Sequence, residues 1–355
     1  MPTPGPETLE VDAQGRENVI LDVALPVLAA WSTSARVLGF RSSMGVSGLS
    51  PREVARLRTL GLATGARATG LFEGANDFRM GFPSVLASGS IEPAFGVEAD
   101  LGGHPLAPVV SDLMVASFGL AVGRRTTHQL RGFTHHRGAD AQGYGARTLE
   151  ALGRELGLEL EVSIEELGFE PQGLGRIAVS ASRSVSSKGR CAVWTDRGEL
   201  RAVHARLGGV RPRLEQFDRL EEVLRETWWE ARRIEPVIER LITPGVDLGA
   251  FLQMDVEFER GGATFMSVVS RSAAPLPLAR RAVLKAQSYI DSGATCDDVT
   301  GVLALAAAMA ARARIEMTLR PSARLSAACG VLRDIGARIE EEEARGLVLL
   351  KTGGA

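Results

Sequence analysis

The residues best equipped for chemistry begin with a turn near the C-terminus. Thr318 to Cys329 reads as a strand end, a Pro321-Ser322 turn and the start of an alternating Ala/Leu helix. Ser322 stands where an N-cap belongs, directly before that helix. A helix N-terminus presents unpaired N–H groups and the positive end of the dipole, so it is a ready anion site. Arg324 lies two residues further on. Its planar guanidinium can grip a phosphate through two donors. It does not lose its proton in a protein, so it cannot serve as a nucleophile or a base. The other reading of Arg324 is an ion pair with a neighbouring carboxylate. Asp297 and Asp298 form a second group. Adjacent carboxylates can hold Mg²⁺ as a hard oxygen pair, or they can simply open a helix, where the dipole favours acidic residues.

Histidines form the third group. His104, His128, His135 and His136 are four of the five in the chain and fall within one short window. His135 or His136 could supply acid–base chemistry at neutral pH. A zinc site shared with Asp140 is the weaker alternative, because adjacent side chains in an extended loop diverge. Surface histidines without a role are a further reading. The fourth group is basic: Arg124, Arg125, His128, Arg131 and Arg137. Such a run can track phosphates. Only Phe133 and Tyr144 are close enough to interleave, so base stacking contributes little. The bland alternative is a set of solvated arginines.

These groups need a scaffold, and the bulk composition allows a large one. The chain has 355 residues, 45% hydrophobic and 24% charged, with a net charge of −2. That composition supports a sizeable core and more than one domain. No global basic field advertises nucleic acid. Cys191, Cys296 and Cys329 have no paired spacing, which points to a reducing cytoplasmic setting. The first residues lack the basic and apolar regions of a secretory leader. The longest apolar run, Val299 to Ala311, is shorter than the roughly 20 residues a bilayer requires.

Along the chain, strand, glycine-bearing turn, helix and strand recur three times. Helices are predicted over Val19–Ser32, Pro51–Gly65, Leu106–Leu120, Ala141–Leu156, Leu214–Leu241, Leu278–Ser292, Asp297–Arg314 and Ser322–Ile335. Hairpins are predicted over 191–205 around Arg197-Gly198, over 252–270 around Gly261-Gly262, and over 338–351. Ser184 to Gly189 reads as a polar linker. Repeated units of this kind predict an α+β architecture.

Several of these segments resemble the RNA 3′-terminal phosphate cyclase family. Gly168-Phe169-Glu170-Pro171, with Gly173 and Gly175, matches the family's Gly-Phe-Tyr-Pro-x-Gly-Gly-Gly turn. Thr134, Ala139, Arg147, Leu149 and Glu150 fall in register with its Gly-Thr loop and helix. Ala13-Gln14-Gly15 matches the opening of its glycine-rich loop. Arg41, Gly48 and Leu49 match an Arg…Gly-Leu segment. Asp297 matches the first residue of an Asp-Gln pair that contacts nucleotide and metal. The chemical residues depart from the pattern. Arg324 occupies the place of the histidine that attacks ATP, and Ala327-Ala328 that of a Thr-Asn. Glu17-Asn18 stands where three glycines belong, and Asp22 replaces an arginine. Met44 and Val46 replace two cations.

The resemblance spans Val11 to Lys351. It implies a large cyclase-like repeat domain over 1–183 and 276–355, with a small α/β domain inserted over 184–275. It implies phosphate ligands at Arg324, Arg41, Gln14 and Ser322 and a metal at Asp297 and Asp298, while the basic run itself offers Arg124, Arg125, Arg131 and Arg137 as RNA contacts. Mg²⁺ and a nucleotide are the cofactors it would bring, and RNA and protein the partners. With arginine in the nucleophile's place, the reading is a non-cyclase homologue that binds or processes RNA without covalent adenylation. The alternatives are an enzyme acting on a phosphorylated small molecule, with His135 or His136 as acid–base, a cyclase using another nucleophile, and a structural partner subunit.

Overall fold

The computed structural model describes residues 8–41, 47–83, 96–136, 146–171, 173–186, 190–210, 214–232, 236–243, 249–269, 275–344 and 346–353. It is an α+β fold built on four four-stranded sheets, and three of these follow one connectivity. In the first unit β1 (Leu9–Asp12) leads into a continuous helical stretch: α1 (Glu17–Val19), a π-helical turn (Ile20–Ala24) and α2 (Leu25–Ala30). The chain returns as β2 (Ala35–Leu38), parallel to β1. Then come α3 (Pro51–Thr64), β3 (Arg67–Thr69) and β4 (Phe78–Gly81), which inserts antiparallel between β2 and β3.

The second unit repeats this with β5 (Glu98–Pro105), α4 (Ala107–Ser117), β6 (Arg125–Phe133), α5 (Ala146–Glu155), β7 (Leu158–Glu166) and β8 (Gly175–Arg183), ordered β5-β6-β8-β7. The third starts at β9 (Cys191–Trp194) and is then interrupted. The interruption is β10 (Leu200–Val210), α6 (Leu214–Arg232), β11 (Val237–Thr243), β12 (Gly249–Phe258), β13 (Gly262–Val269) and α7 (Pro275–Ser292). The unit resumes with α8 (Asp298–Ala310), β14 (Arg314–Leu319), α9 (Ala323–Asp334), β15 (Arg338–Ala344) and β16 (Leu347–Gly353). Its sheet is ordered β15-β16-β14-β9.

The sequence explains why the first helix of each unit is central. Ile20 to Ala30, Val109 to Val115 and Val302 to Met309 are apolar nearly all round, and such helices must be surrounded. In the structure α2, α4 and α8 pack against one another, with almost every residue buried. The sheets alternate instead. β6 runs exposed and buried in turn, with Thr126, His128 and Leu130 inward and Arg125, Thr127 and Gln129 outward. That is the pattern of a sheet covering a core on one face, here a mixed sheet in which β5 pairs in parallel with β6 and β8 pairs antiparallel with β6 and β7. One glycine is forced by space: Gly48 has φ +77°, and a Cβ there would meet the Gly74 carbonyl oxygen at 2.1 Å.

The interruption has its own core. Leu252, Met254, Val256 and Phe258 of β12 face Phe217, Leu224 and Trp228 of α6 and Val283 and Ala286 of α7. The sheet β11-β10-β12-β13 turns its other face, with Phe251 and Asp255, towards the second unit.

Two predicted elements are corrected. The hairpin over 191–205 does not form: β9 pairs in parallel with β14, while β10 pairs with β11 and β12. The helix predicted to Leu241 ends at Arg232. Pro236 cannot continue it, and the β-branched run at Val237, Ile238, Ile242 and Thr243 favours the strand β11. Packing also divides the chain at its own points. Ala192 and Trp194 of β9 lie in the main core, whereas Ala282, Val283 and Tyr289 of α7 lie in the core of the interruption.

Candidate functional site

Two helices of the third unit begin at one cleft. Asp297 caps α8, its Oδ1 accepting from the backbone N–H of Val299 at 3.0 Å and Thr300 at 3.2 Å. Ser322 caps α9, its Oγ accepting from the Leu325 N–H at 3.1 Å. Both caps follow strands or turns that cannot continue as helix, and both were readable as Asp or Ser before an apolar run. The cleft encloses about 520 Å³. Lys285, Ser288 and Tyr289 of α7 form its wall on the interruption side, and Asp298, Arg320 and Arg324 line the other. Arg320 Nη1 donates to Ser288 Oγ at 3.1 Å across it.

The charges are three cations, Lys285, Arg320 and Arg324, against Asp297 and Asp298. Burial pushes the Asp297 carboxyl up to about 6, opposed by the hydrogen bonds from Thr300 and aided by the charge of Asp298. Burial also raises the Cys296 thiol and the Tyr289 phenol well above their ordinary values. Tyr289 Oη donates to the Thr295 carbonyl at 2.9 Å. Neither side chain is an anionic nucleophile at neutral pH. The arrangement is suited to holding an anion between the start of α9 and the three cations. Among the described residues no group of three or more His, Cys, Asp or Glu gathers as a metal cluster. Asp297 and Asp298 could contribute to a Mg²⁺ shell only together with oxygens from a ligand or water.

Behind the cleft stands a chain of charge that the sequence did not reveal. Arg324 Nη2 donates to Asp22 Oδ2 at 3.0 Å, so the ion-pair reading of Arg324 is realised while its side chain still lines the cleft. Asp22 Oδ1 lies 2.9 Å from Arg56 Nη1. Arg56 in turn grips Asp112 through Nε at 2.7 Å and Nη2 at 2.6 Å. Burial opposes the Arg56 charge, but Asp112 and Asp22 outweigh it and raise its pKa. Burial raises Asp112 as well, to about 6, against the attraction of Arg56. The bidentate bond keeps this pair ionised at neutral pH. The available signal was Asp112, a lone carboxylate in an otherwise apolar helix, which required a buried partner.

The other predicted residues do not converge on the cleft. Gln14 is exposed, and its turn is anchored by Arg16 to Asp334, at the far end of α9. That is about 18 Å along the helix from Ser322, and Gln14 does not line the cleft. Arg41 is exposed and its backbone bridges to Ser47 and Gly48, before α3. It does not line the cleft.

His135 packs inside the protein and does not line the cleft. It is 2% exposed, stacked between Phe169 at 5.0 Å and Phe251 at 4.3 Å between ring centres. Nδ1 shares a hydrogen bond with Thr134 Oγ1 at 2.8 Å, and Nε2 has no partner among the described residues. Burial pulls its pKa down to about 3, so it is a neutral packing residue. His136 faces Glu170 at 3.3 Å rather than the cleft. Its pKa is lowered, chiefly by burial, with Glu170 opposing and Arg52 adding.

The basic run is not a single-signed surface. Arg125 and Arg131 lie on the outer face of β6. The other strands of the sheet, β5 and β7, put Glu98, Asp100, Glu159, Glu161 and Glu165 on that same face. Arg124 is half-buried and tied to Arg183 through its backbone. Arg137 lies outside the described residues. The alternation of the strands, hidden in a linear count of arginines, mixes the two signs. No helix among the described residues is long and apolar enough to cross a membrane.

No protein-family model matches this chain, and no curated protein matches it at a significant level.

Proposed function

We propose that this chain is a non-adenylating relative of the RNA 3′-terminal phosphate cyclases, which binds the phosphorylated end of an RNA in the cleft at the starts of α8 and α9. The observation that carries this reading is the convergence of Arg324, Arg320 and Lys285 on one cleft with the Ser322 and Asp297 caps. The resemblance supplies the RNA end as ligand. The chemistry of the cleft supplies the absence of adenylation, since Arg324 stands in the nucleophile's place and Cys296 and Tyr289 are held neutral. The finer fold assignment, a cyclase-like repeat domain with an inserted domain, is part of the same proposal. The shared connectivity of three sheets supports it.

The test combines α-labelled ATP with an RNA oligonucleotide ending in a 3′-phosphate. The expected result is RNA retained by the protein, preferring the 3′-phosphate over a 3′-hydroxyl, with no label on the protein in a denaturing gel. Covalent label or a cyclised RNA end would overturn it.

A second reading is a phosphorylated small molecule as ligand. The mixed charge on the outer face of β5-β6-β8-β7 favours it, because that face gives no extended path for an RNA backbone. Thermal shift with small phosphate esters and with short RNAs separates the two, since only a ligand that prefers the folded state raises the midpoint.

A further inference from the structure

The guanidinium of Arg324 is the end of a graded chain of ion pairs. Side-chain exposure rises along it from 1% at Asp112 to 9% at Arg56, 24% at Asp22 and 35% at Arg324. The chain crosses all three units: Asp112 lies on α4, Arg56 on α3, Asp22 on the π-helical turn before α2, and Arg324 on α9. Bonding falls outward from Arg56, which makes three bonds in the chain, against two for Asp22 and one for Arg324. Asp112 holds Arg56 through two nitrogens, and Arg56 then has one nitrogen, Nη1, left for Asp22. Asp22 uses its two oxygens on two different arginines.

Arg324 donates through Nη2 alone to Asp22. A guanidinium has five N–H donors in a rigid fork. Among the described residues no other hydrogen bond of this guanidinium is found, which leaves its remaining donors for a ligand. Because the side chain also lines the cleft, they are available to an anion there.

We infer that Asp22, backed by Arg56, is a positioning residue that sets the orientation of Arg324 for a phosphate in the cleft. This rests on the proposed anion-binding reading and names the residues that make it work. An arginine that must be ordered on binding loses affinity to side-chain entropy, and one already held does not. The competing effect is the charge of Asp22 itself, which repels an incoming anion. Arg56 lies against Asp22 at 2.9 Å and offsets that charge. Arg56 shares its charge between Asp22 and Asp112, so the two effects oppose each other and the measured sign separates them.

The test is a double-mutant cycle read by the affinity for inorganic phosphate and for a 3′-phosphorylated oligonucleotide. The variants are Asp22→Asn, Arg324→Ala and both together, each checked for an unchanged fold by circular dichroism. Asp22→Asn keeps the shape and one acceptor but removes the charge that holds two arginines. It is expected to weaken phosphate binding by about threefold to tenfold. In the Arg324→Ala background the same change is expected to have no further effect, because Asp22 acts through Arg324. An equal loss in both backgrounds would overturn the inference and leave Asp22 a structural residue. Tighter binding by Asp22→Asn would overturn it too, and make Asp22 a competitor of the ligand. If Arg324→Ala alone leaves phosphate binding intact, the anion-binding reading itself fails.

Discussion

At the scale of single residues, the buried ionisable groups divide into those that face the cleft and those that pack. His135 is of the second kind, and its pH behaviour follows. Its folded pKa of about 3 lies below the ordinary histidine value. The unfolded chain therefore takes up a proton that the folded chain refuses. Stability from this residue is complete above about pH 6.5 and is lost as the pH falls towards the folded value. Compared with a His135→Phe variant, the wild type should lose about 2 kcal/mol of relative stability between pH 7 and pH 5. Urea denaturation at the two pH values checks this. A constant difference would mean that the imidazole is solvated. The residue type of His135 was readable in the sequence, but its role was not. Phe169 and Phe251, which sandwich it, are distant in the chain and on different bodies. The Arg56–Asp112 bond was hidden for the same reason, spanning 56 residues.

At the scale of elements, local signals carried well and non-local ones did not. Ser322 before an Ala/Leu run announced α9, and Asp297 announced α8. Gly261-Gly262 announced the β12–β13 hairpin. By contrast β9 has its partner 123 residues away in β14, and no local pattern reports that. The caps matter for the site as well as for the helices, because they fix the two helix starts that the cleft uses. Ser322→Ala should lower stability by about 1 kcal/mol, the usual consequence of losing a cap. It should also weaken phosphate binding, since the first turn of α9 carries Arg324. Denaturant unfolding and phosphate titration on the same preparation test both. Unchanged stability would mean that the Leu325 N–H finds another acceptor. Weaker stability with unchanged phosphate affinity would separate the cap from the site.

At the scale of the whole molecule, the three like-connected units enclose their apolar helices, and the interruption is docked beside them. Contacts among the described residues that hold it to the second unit include the Phe169–His135–Phe251 stack, Arg147 reaching Asp255 at 3.6 Å and Glu257 at 3.9 Å, and Thr148 Oγ1 donating to the Gly262 carbonyl at 3.4 Å. The cleft is thus bounded by α7 on one side and the third unit on the other, while the outer sheet face of the second unit carries mixed charge. An RNA would meet cations chiefly in the cleft. The slope of log affinity against log salt should be about −2 for a single strand, as expected for three neutralised phosphates, and should not steepen with length. A steeper slope that grows with length would place an extended track on the surface. The most direct check of the central claim is the affinity of wild type and Arg324→Ala for one RNA ending in either a 3′-phosphate or a 3′-hydroxyl. The account predicts that the wild type prefers the 3′-phosphate and that Arg324→Ala loses most of that preference while remaining folded. Equal binding of the two ends by the wild type, or a preference that survives in Arg324→Ala, would contradict it.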